Sequence, residues 1–220
     1  MSELNFKRRA SASGADTSVV VFLHGYGADG ADLLGLAEPL AQHLPDTVFV
    51  AVDAPDRSMA NPLGYQWFPI PWIDGSSEAA AAEGMRRSAK LLDAFIDKVL
   101  ADEGLAPENL ILFGFSQGTM MSLHVAPRRA EPIAGIVGFS GRLLSPEALA
   151  TEALSKPPVI LIHGNADDVV PFQEMQIAGE ALQTAGFEVY GHVMQGTAHG
   201  IAPDGLSVAL TFMRDKLGVE

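Results

Sequence analysis

No cysteine occurs anywhere in this 220-residue chain. Disulfides, thiolate metal sites and a cysteine nucleophile are therefore excluded outright. Positive charge is scarce: 14 Lys and Arg face 27 Asp and Glu, a formal net charge of -13, and no basic run exceeds Lys7-Arg8-Arg9. A surface of that sign repels polyanions, which excludes nucleic acid as the main partner. Charged residues make up only 19% of the chain against 48% hydrophobic, so disorder is expected only at the ends and the chain suits a well-buried α/β domain. A signal-peptide core is also lacking, because the polar segment Met1 to Thr17 is followed by an apolar stretch of only five residues, Val19 to Leu23. Cytoplasmic is the default location. The expected organisation is a polar N-terminal segment, 1–17, and one domain over 18–220.

Long apolar runs are nearly absent as well. The one segment of membrane-spanning length without a charge, Asn109 to Pro127, is about 19 residues long. Its centre reads Ser-Gln-Gly-Thr, which suits a strand, a turn and a buried helix and not a span, so no stable membrane insertion is expected.

What the chain does contain is a regular alternation. Apolar, β-branched runs at Ser18 to His24, Thr47 to Val52, Leu110 to Phe115, Ile133 to Phe139, Val159 to His163 and Phe187 to Val193 predict six strands. Between them, helical spacing joins Leu33, Ala37, Leu40 and Leu44; Met85, Ala89, Leu92, Ile96 and Val99; Phe172, Met175, Gly179 and Leu182; and Leu206, Leu210, Met213 and Leu217. Such alternation implies a mostly parallel sheet with helices on both faces. Ligands bind beyond the carboxyl ends of such strands. The residues following these strands carry chemistry: His24-Gly25-Tyr26-Gly27, Ser116-Gln117, His163 to Asp168, and Gly196 to His199. The longest non-periodic stretch, Ala54 to Ser77, holds Tyr65, Trp67, Phe68 and Trp72. It is either a functional loop or a set of rings plugging the core beneath an irregular crossing.

The sharpest motif is Gly114-Phe115-Ser116-Gln117-Gly118. From the chain's own Gly and Ser usage the bare pattern arises by chance roughly one time in seven, so it is weak alone. Its position between a buried-strand run and a helix-like run strengthens it. A Gly-x-Ser-x-Gly turn at a strand-to-helix junction strains the serine backbone, lets strand and helix approach through the flanking glycines, and exposes the hydroxyl above the sheet.

A serine hydroxyl needs a base, and the base needs a carboxylate to fix its tautomer. In the α/β-hydrolase order, Ser then acid then His, four downstream histidines compete. His124 lies in the helix after the elbow, His163 precedes the acid loop and His192 falls inside a strand. His199 alone sits after the last strand and before a helix. Asp167 and Asp168 both follow the fifth strand, and spacing does not separate them.

With these residues assembled, the chain resembles the phospholipase/carboxylesterase and acyl-protein thioesterase group of serine hydrolases. The likeness runs from about Ser18 to Leu217 through Phe22-Leu23-His24-Gly25-Tyr26-Gly27-Ala28-Asp29-Gly30, Trp67-Phe68, the serine pentapeptide, His163-Gly164-x-x-Asp167-x-Val169-Val170-Pro171 and Gly196-x-x-His199. It implies the α/β-hydrolase fold without a cap domain, and Asp167 as the acid. It further implies an oxyanion hole from the backbone N–H groups of Leu23 and Gln117, where one donor is typically worth about 2.7–4 kcal/mol of barrier. By the same resemblance, the Trp67-Phe68-Pro69-Ile70 stretch and Val169 line an open acyl site. His24 is expected to be structural. Thr119 departs from the family pattern, which commonly has glycine there, and this bears on pocket shape more than on chemistry.

The expected activity is hydrolysis of short- to medium-chain carboxylic esters by Ser116, His199 and Asp167 through an acyl-enzyme, with no metal or organic cofactor. Activity should fall as pH drops through roughly 6 to 7, because protonated His199 accepts no proton. The expected partner is a small-molecule ester, and an exposed apolar patch could also seat a second copy as a homodimer. Alternatives are an acyl-protein thioesterase or lysophospholipase, and a non-catalytic protein that binds a hydrophobic ligand. A metallohydrolase built on His24, His163 and His199 lacks any His-Glu-x-x-His spacing.

Overall fold

A computed structural model describes residues 3–219. In chain order the strands are β1 (Phe6–Arg9), β2 (Ser18–Leu23), β3 (Thr47–Val52), β4 (Asp56–Arg57), β5 (Tyr65–Gln66), β6 (Leu110–Phe115), β7 (Gly135–Phe139), β8 (Val159–Gly164) and β9 (Val189–Met194). The helices are α1 (Gly30–Leu34), α2 (Ala37–Ala41), α3 (Pro71–Asp74), α4 (Glu78–Glu103), α5 (Gln117–Val125), α6 (Pro146–Glu152), α7 (Gln173–Thr184) and α8 (Pro203–Lys216).

Seven strands form one sheet in the order β1-β3-β2-β6-β7-β8-β9, parallel except for β1, which pairs antiparallel with β3. This is the α/β-hydrolase arrangement, and no cap domain covers it. Strands β2, β3 and β8 are buried along their full lengths, as a sheet covered on both faces requires. Alternate side chains feed two cores: Val19, Val21 and Leu23 meet Leu92, Ile96 and Met121 on one face, while Val20 and Phe22 meet Leu33, Leu40 and Phe212 on the other. Among the described residues, no helix is long and apolar enough to cross a membrane.

All six expected strands are present, with ends shifted by up to two residues. The seventh, β1, lies within the polar segment 1–17. Its exposed sequence FKRR has no apolar alternation to betray it, although Phe6 packs edge-on against Phe95 of α4 with ring centroids 5.4 Å apart. The helical spacing from Leu33 to Leu44 is realised as two short helices, because α1 ends at Gly35, a weak helix former. Helix α4 extends well beyond the Met85 to Val99 stripe. The Ser77 side chain caps its start by accepting from Ala80 N–H, and Gly104, at φ +67°, closes its end.

Candidate active site

Between β6 and α5 the chain reverses at Ser116, whose φ of 54° and ψ of -115° no ordinary side-chain-bearing residue prefers. The glycines on either side explain how such a turn closes. A Cβ on Gly118 would stand 1.9 Å from the Leu23 carbonyl oxygen, and one on Gly114 would stand 2.4 Å from Thr119 N. Ser116 N–H donates to Phe139 O of β7 at 2.9 Å, which ties the turn to the next strand.

The acid and histidine loops, after β8 and β9, are pressed together. A Cβ on Gly164 would lie 2.1 Å from Thr197 O. Ala166 N–H donates to Thr197 O at 3.0 Å, and Asn165 Oδ1 accepts from Gly196 N–H at 2.7 Å. Out of this double loop come the two groups that matter. Asp167 Oδ2 lies 2.8 Å from His199 Nδ1, and Asp167 Oδ1 accepts from the N–H groups of Val169 and Val170, both at 2.9 Å. Burial alone would push the Asp167 carboxyl up, but the His199 hydrogen bond and the two amides outweigh it and hold the group below the usual carboxylate range. The neighbouring Asp168 is exposed and makes no such contact, so geometry separates two residues that spacing left equivalent. The His199 ring packs on Phe115, the residue before the serine, with centroids 4.9 Å apart. Serine turn and histidine loop thus share one end of the sheet.

The profile of the phospholipase/carboxylesterase family matches residues 7–217. The chain belongs to that family. It is 29% identical to acyl-protein thioesterase 1 of Gibberella zeae, over 94% of this chain and 93% of the relative. It is 30% identical to a probable carboxylesterase of Oryza sativa subsp. japonica, over 94% and 81% respectively. Among solved structures it resembles esterase PE8, with a TM-score of 0.93, 43% identity and coverage of 98% of this chain and 100% of that one. It also resembles Zea mays acyl-protein thioesterase 2, with a TM-score of 0.77, 26% identity and coverage of 97% and 99%. The protein is a serine hydrolase of the carboxylic ester hydrolase kind.

In this phospholipase/carboxylesterase family member three further histidines, His24, His163 and His192, have partners of their own. His24 is wholly buried. Its Nε2 accepts from Ala54 N–H at 3.0 Å, so the proton sits on Nδ1 and is given to Gly25 O at 2.7 Å. Burial lowers its pKa. It therefore stays a neutral brace for the loop, as expected. His163, also buried, holds the acid loop: its Nε2 is 2.9 Å from Val170 O and 3.2 Å from the same Asp167 oxygen that meets His199. Sequence reasoning placed His163 at a strand end and in the acid-loop motif but assigned it no role beside Asp167. His192 instead pairs with Asp204 at 2.8 Å on the surface.

Two expected roles are corrected. Ser116 N–H goes to β7, so alternate residues of β6 face β7 while Phe113 and Phe115 face β2. Leu23, in register with Gly114, then commits its N–H to the ladder inside the sheet, and it does not point into the crevice. Gln117 N–H differs, because it belongs to the first turn of α5 and has no intrahelical acceptor. Trp67 is the second correction: it is wholly buried and lines no open surface. Its Nε1–H donates to His24 O at 3.0 Å and its N–H to Gln117 Oε1 at 3.0 Å, while its carbonyl accepts from Ser88 Oγ. Of the two readings of the aromatic loop, Trp67 is the plug.

Phe68 and Ile70 do line a groove of about 270 Å³, together with Trp72, Met85 and Arg142. A second cleft of about 320 Å³ is lined by Gly25, Leu33, Leu36, Phe115 and Ile201. Val169 is exposed on the acid loop and lines neither. Thr119 turns inward and does not alter the pocket. It is buried, donates to Phe139 O at 2.7 Å, and occupies space left by Gly138 and Gly141, where any Cβ would strike its side chain.

Proposed function

We propose that the protein is a serine carboxylesterase for short- to medium-chain esters, with Ser116 as nucleophile, His199 as general base and Asp167 as its orienting acid. The observation that carries this reading is the 2.8 Å contact between Asp167 Oδ2 and His199 Nδ1 beside a serine held at positive φ. An ionised Asp167 accepts the Nδ1 proton, which leaves the Nε2 lone pair to take the proton of Ser116 Oγ as it attacks the ester carbonyl. The same proton then goes to the departing alcohol, and a water activated by His199 releases the acid from the acyl-enzyme. Gln117 N–H supplies one oxyanion donor. The second comes from the loop after β2, where a Cβ on Gly25 would lie 3.2 Å from Ser116 Cβ. In that loop the N–H groups of Gly27 and Ala28 are already bonded, to Tyr65 O and Gly25 O. We assign this task to the Tyr26 N–H, which makes no backbone hydrogen bond.

The modest size of the two clefts supports short or medium arms over long ones. A second reading, thioester hydrolysis, is favoured by the relatives named acyl-protein thioesterase. Hydrolysis of p-nitrophenyl esters from acetate to palmitate, and of the matching acyl thioesters, by wild type and Ser116→Ala decides between them. Turnover that peaks at short chains and vanishes in the variant supports the carboxylesterase. A preference for long thioesters supports the second reading, and equal rates in both proteins remove Ser116 from the chemistry.

A further inference from the structure

The two clefts beside the elbow differ in charge. Arg142 stands in the wall of the Phe68 groove with its guanidinium 5.6 Å from the Trp72 ring. It makes no ion pair and no hydrogen bond among the described residues. The second cleft holds no cation, and its charged lining residue is Asp32. In a chain with a net charge of -13, an uncommitted guanidinium in an apolar groove is a local reversal of sign. The adjacent apolar surface is likewise uncovered, with Trp72 70% exposed and Ile73 48% exposed.

Both walls of this groove are anchored at the reacting serine. On one side Gln117 Nε2 donates to Phe68 O at 2.8 Å, so Phe68 is fastened to the residue following the nucleophile. On the other side Gly141, the neighbour of Arg142, packs against the elbow so closely that a Cβ there would stand 3.0 Å from Ser116 O. A substrate arm leaving Ser116 along this groove has Phe68, Ile70, Met85 and the Arg142 guanidinium in its walls. Glu78 also lines the groove. It is exposed in the first turn of α4, where water screens its charge.

We propose that this groove selects esters whose one arm ends in an anionic group, with apolar contacts along Phe68, Ile70 and Trp72 and the terminal charge at Arg142. The inference rests on the esterase reading and deepens it. Guanidinium suits a carboxylate because its planar fork donates two parallel hydrogen bonds, and a cation–π contact with Trp72 keeps it beside the groove. The neutral arm is left to the Leu33–Leu36 cleft, which offers no cation.

The test compares kcat/KM for monomethyl adipate, which is anionic, and dimethyl adipate, which is neutral, in wild type, Arg142→Gln and Arg142→Lys. The wild type should use the monoester at least as well as the diester despite its overall negative charge. Arg142→Gln should lower the monoester-to-diester ratio about ten-fold, mainly through KM, as expected for losing a hydrogen bond to a charged group. Arg142→Lys should lose less, and about 1 M salt should shrink the wild-type ratio. An identical ratio in wild type and Arg142→Gln overturns the proposal while leaving the esterase reading intact. Ser116→Ala that still hydrolyses the diester, or a wild type that hydrolyses neither ester, overturns both.

Discussion

Ser116 and His199 could be picked out by order and strand position, whereas Asp167 could not: spacing left it equivalent to Asp168, the resemblance selected it, and the contact with His199 Nδ1 distinguishes it. The roles of Leu23 and Trp67 were not legible. The direction of a backbone N–H depends on which neighbour a strand residue faces, and no side chain encodes that. A large aromatic ring can be a wall or a plug, and only its hydrogen bonds to His24 O and Gln117 Oε1 decide. At this scale two substitutions are diagnostic. Asp167→Asn should keep the fold but lower kcat by about 10⁴, since the amide leaves His199 in the wrong tautomer. Steady-state kinetics with a p-nitrophenyl ester, beside an unchanged circular dichroism spectrum, checks it. Gly118→Ala should prevent folding or cost more than about 3 kcal/mol, because its Cβ would lie 1.9 Å from the Leu23 carbonyl oxygen of β2. Urea denaturation reads that loss directly.

Elements with a buried face announced themselves through periodicity, and those without one did not. The central strands and the α4 and α8 stripes repeat apolar residues at fixed intervals, whereas β1 is an exposed edge with no repeat to find. The break between α1 and α2 was hidden because the apolar spacing continues across Gly35. One inter-element contact governs the site: the Gln117 side chain, wholly buried, accepts from Trp67 N–H and donates to Phe68 O. It locks the aromatic loop to α5. Gln117→Ala leaves its own backbone N–H in place but strands two buried groups, so stability should fall by about 1–3 kcal/mol. Because the groove wall at Phe68 is released, KM for esters should rise more than kcat falls. Thermal melts paired with Michaelis–Menten curves test both halves. A kcat loss without a KM change would mean that the side chain serves the reaction and not the loop.

Across the whole molecule the response to acid follows from buried imidazoles. Burial first, and then the Arg128 charge, lower His124 to a pKa of about 4, and burial also lowers His24. Both are neutral in the fold and gain a proton more readily when unfolded, near the ordinary value of about 6.5. Their contribution is complete above that pH and is lost as pH falls from about 6.5 towards 4. Melting temperature should decline across that window, with proton uptake on unfolding, and His124→Gln should make the slope shallower. The sheet itself carries a further consequence in its β1 margin. Without that strand, β3, whose six residues are all buried, would become the border of the sheet. An uncovered apolar strand is a template for another chain's backbone. Residues Lys7, Arg8 and Arg9 place three cations in a row on the margin instead, and Arg8 is pinned by Asp16 and by Glu103 at the end of α4. A chain shortened to begin at Ser18 should scatter light and bind amyloid dyes at concentrations where the full protein stays clear. That outcome would make β1 a guard against aggregation, a task that requires no apolar pattern in its sequence.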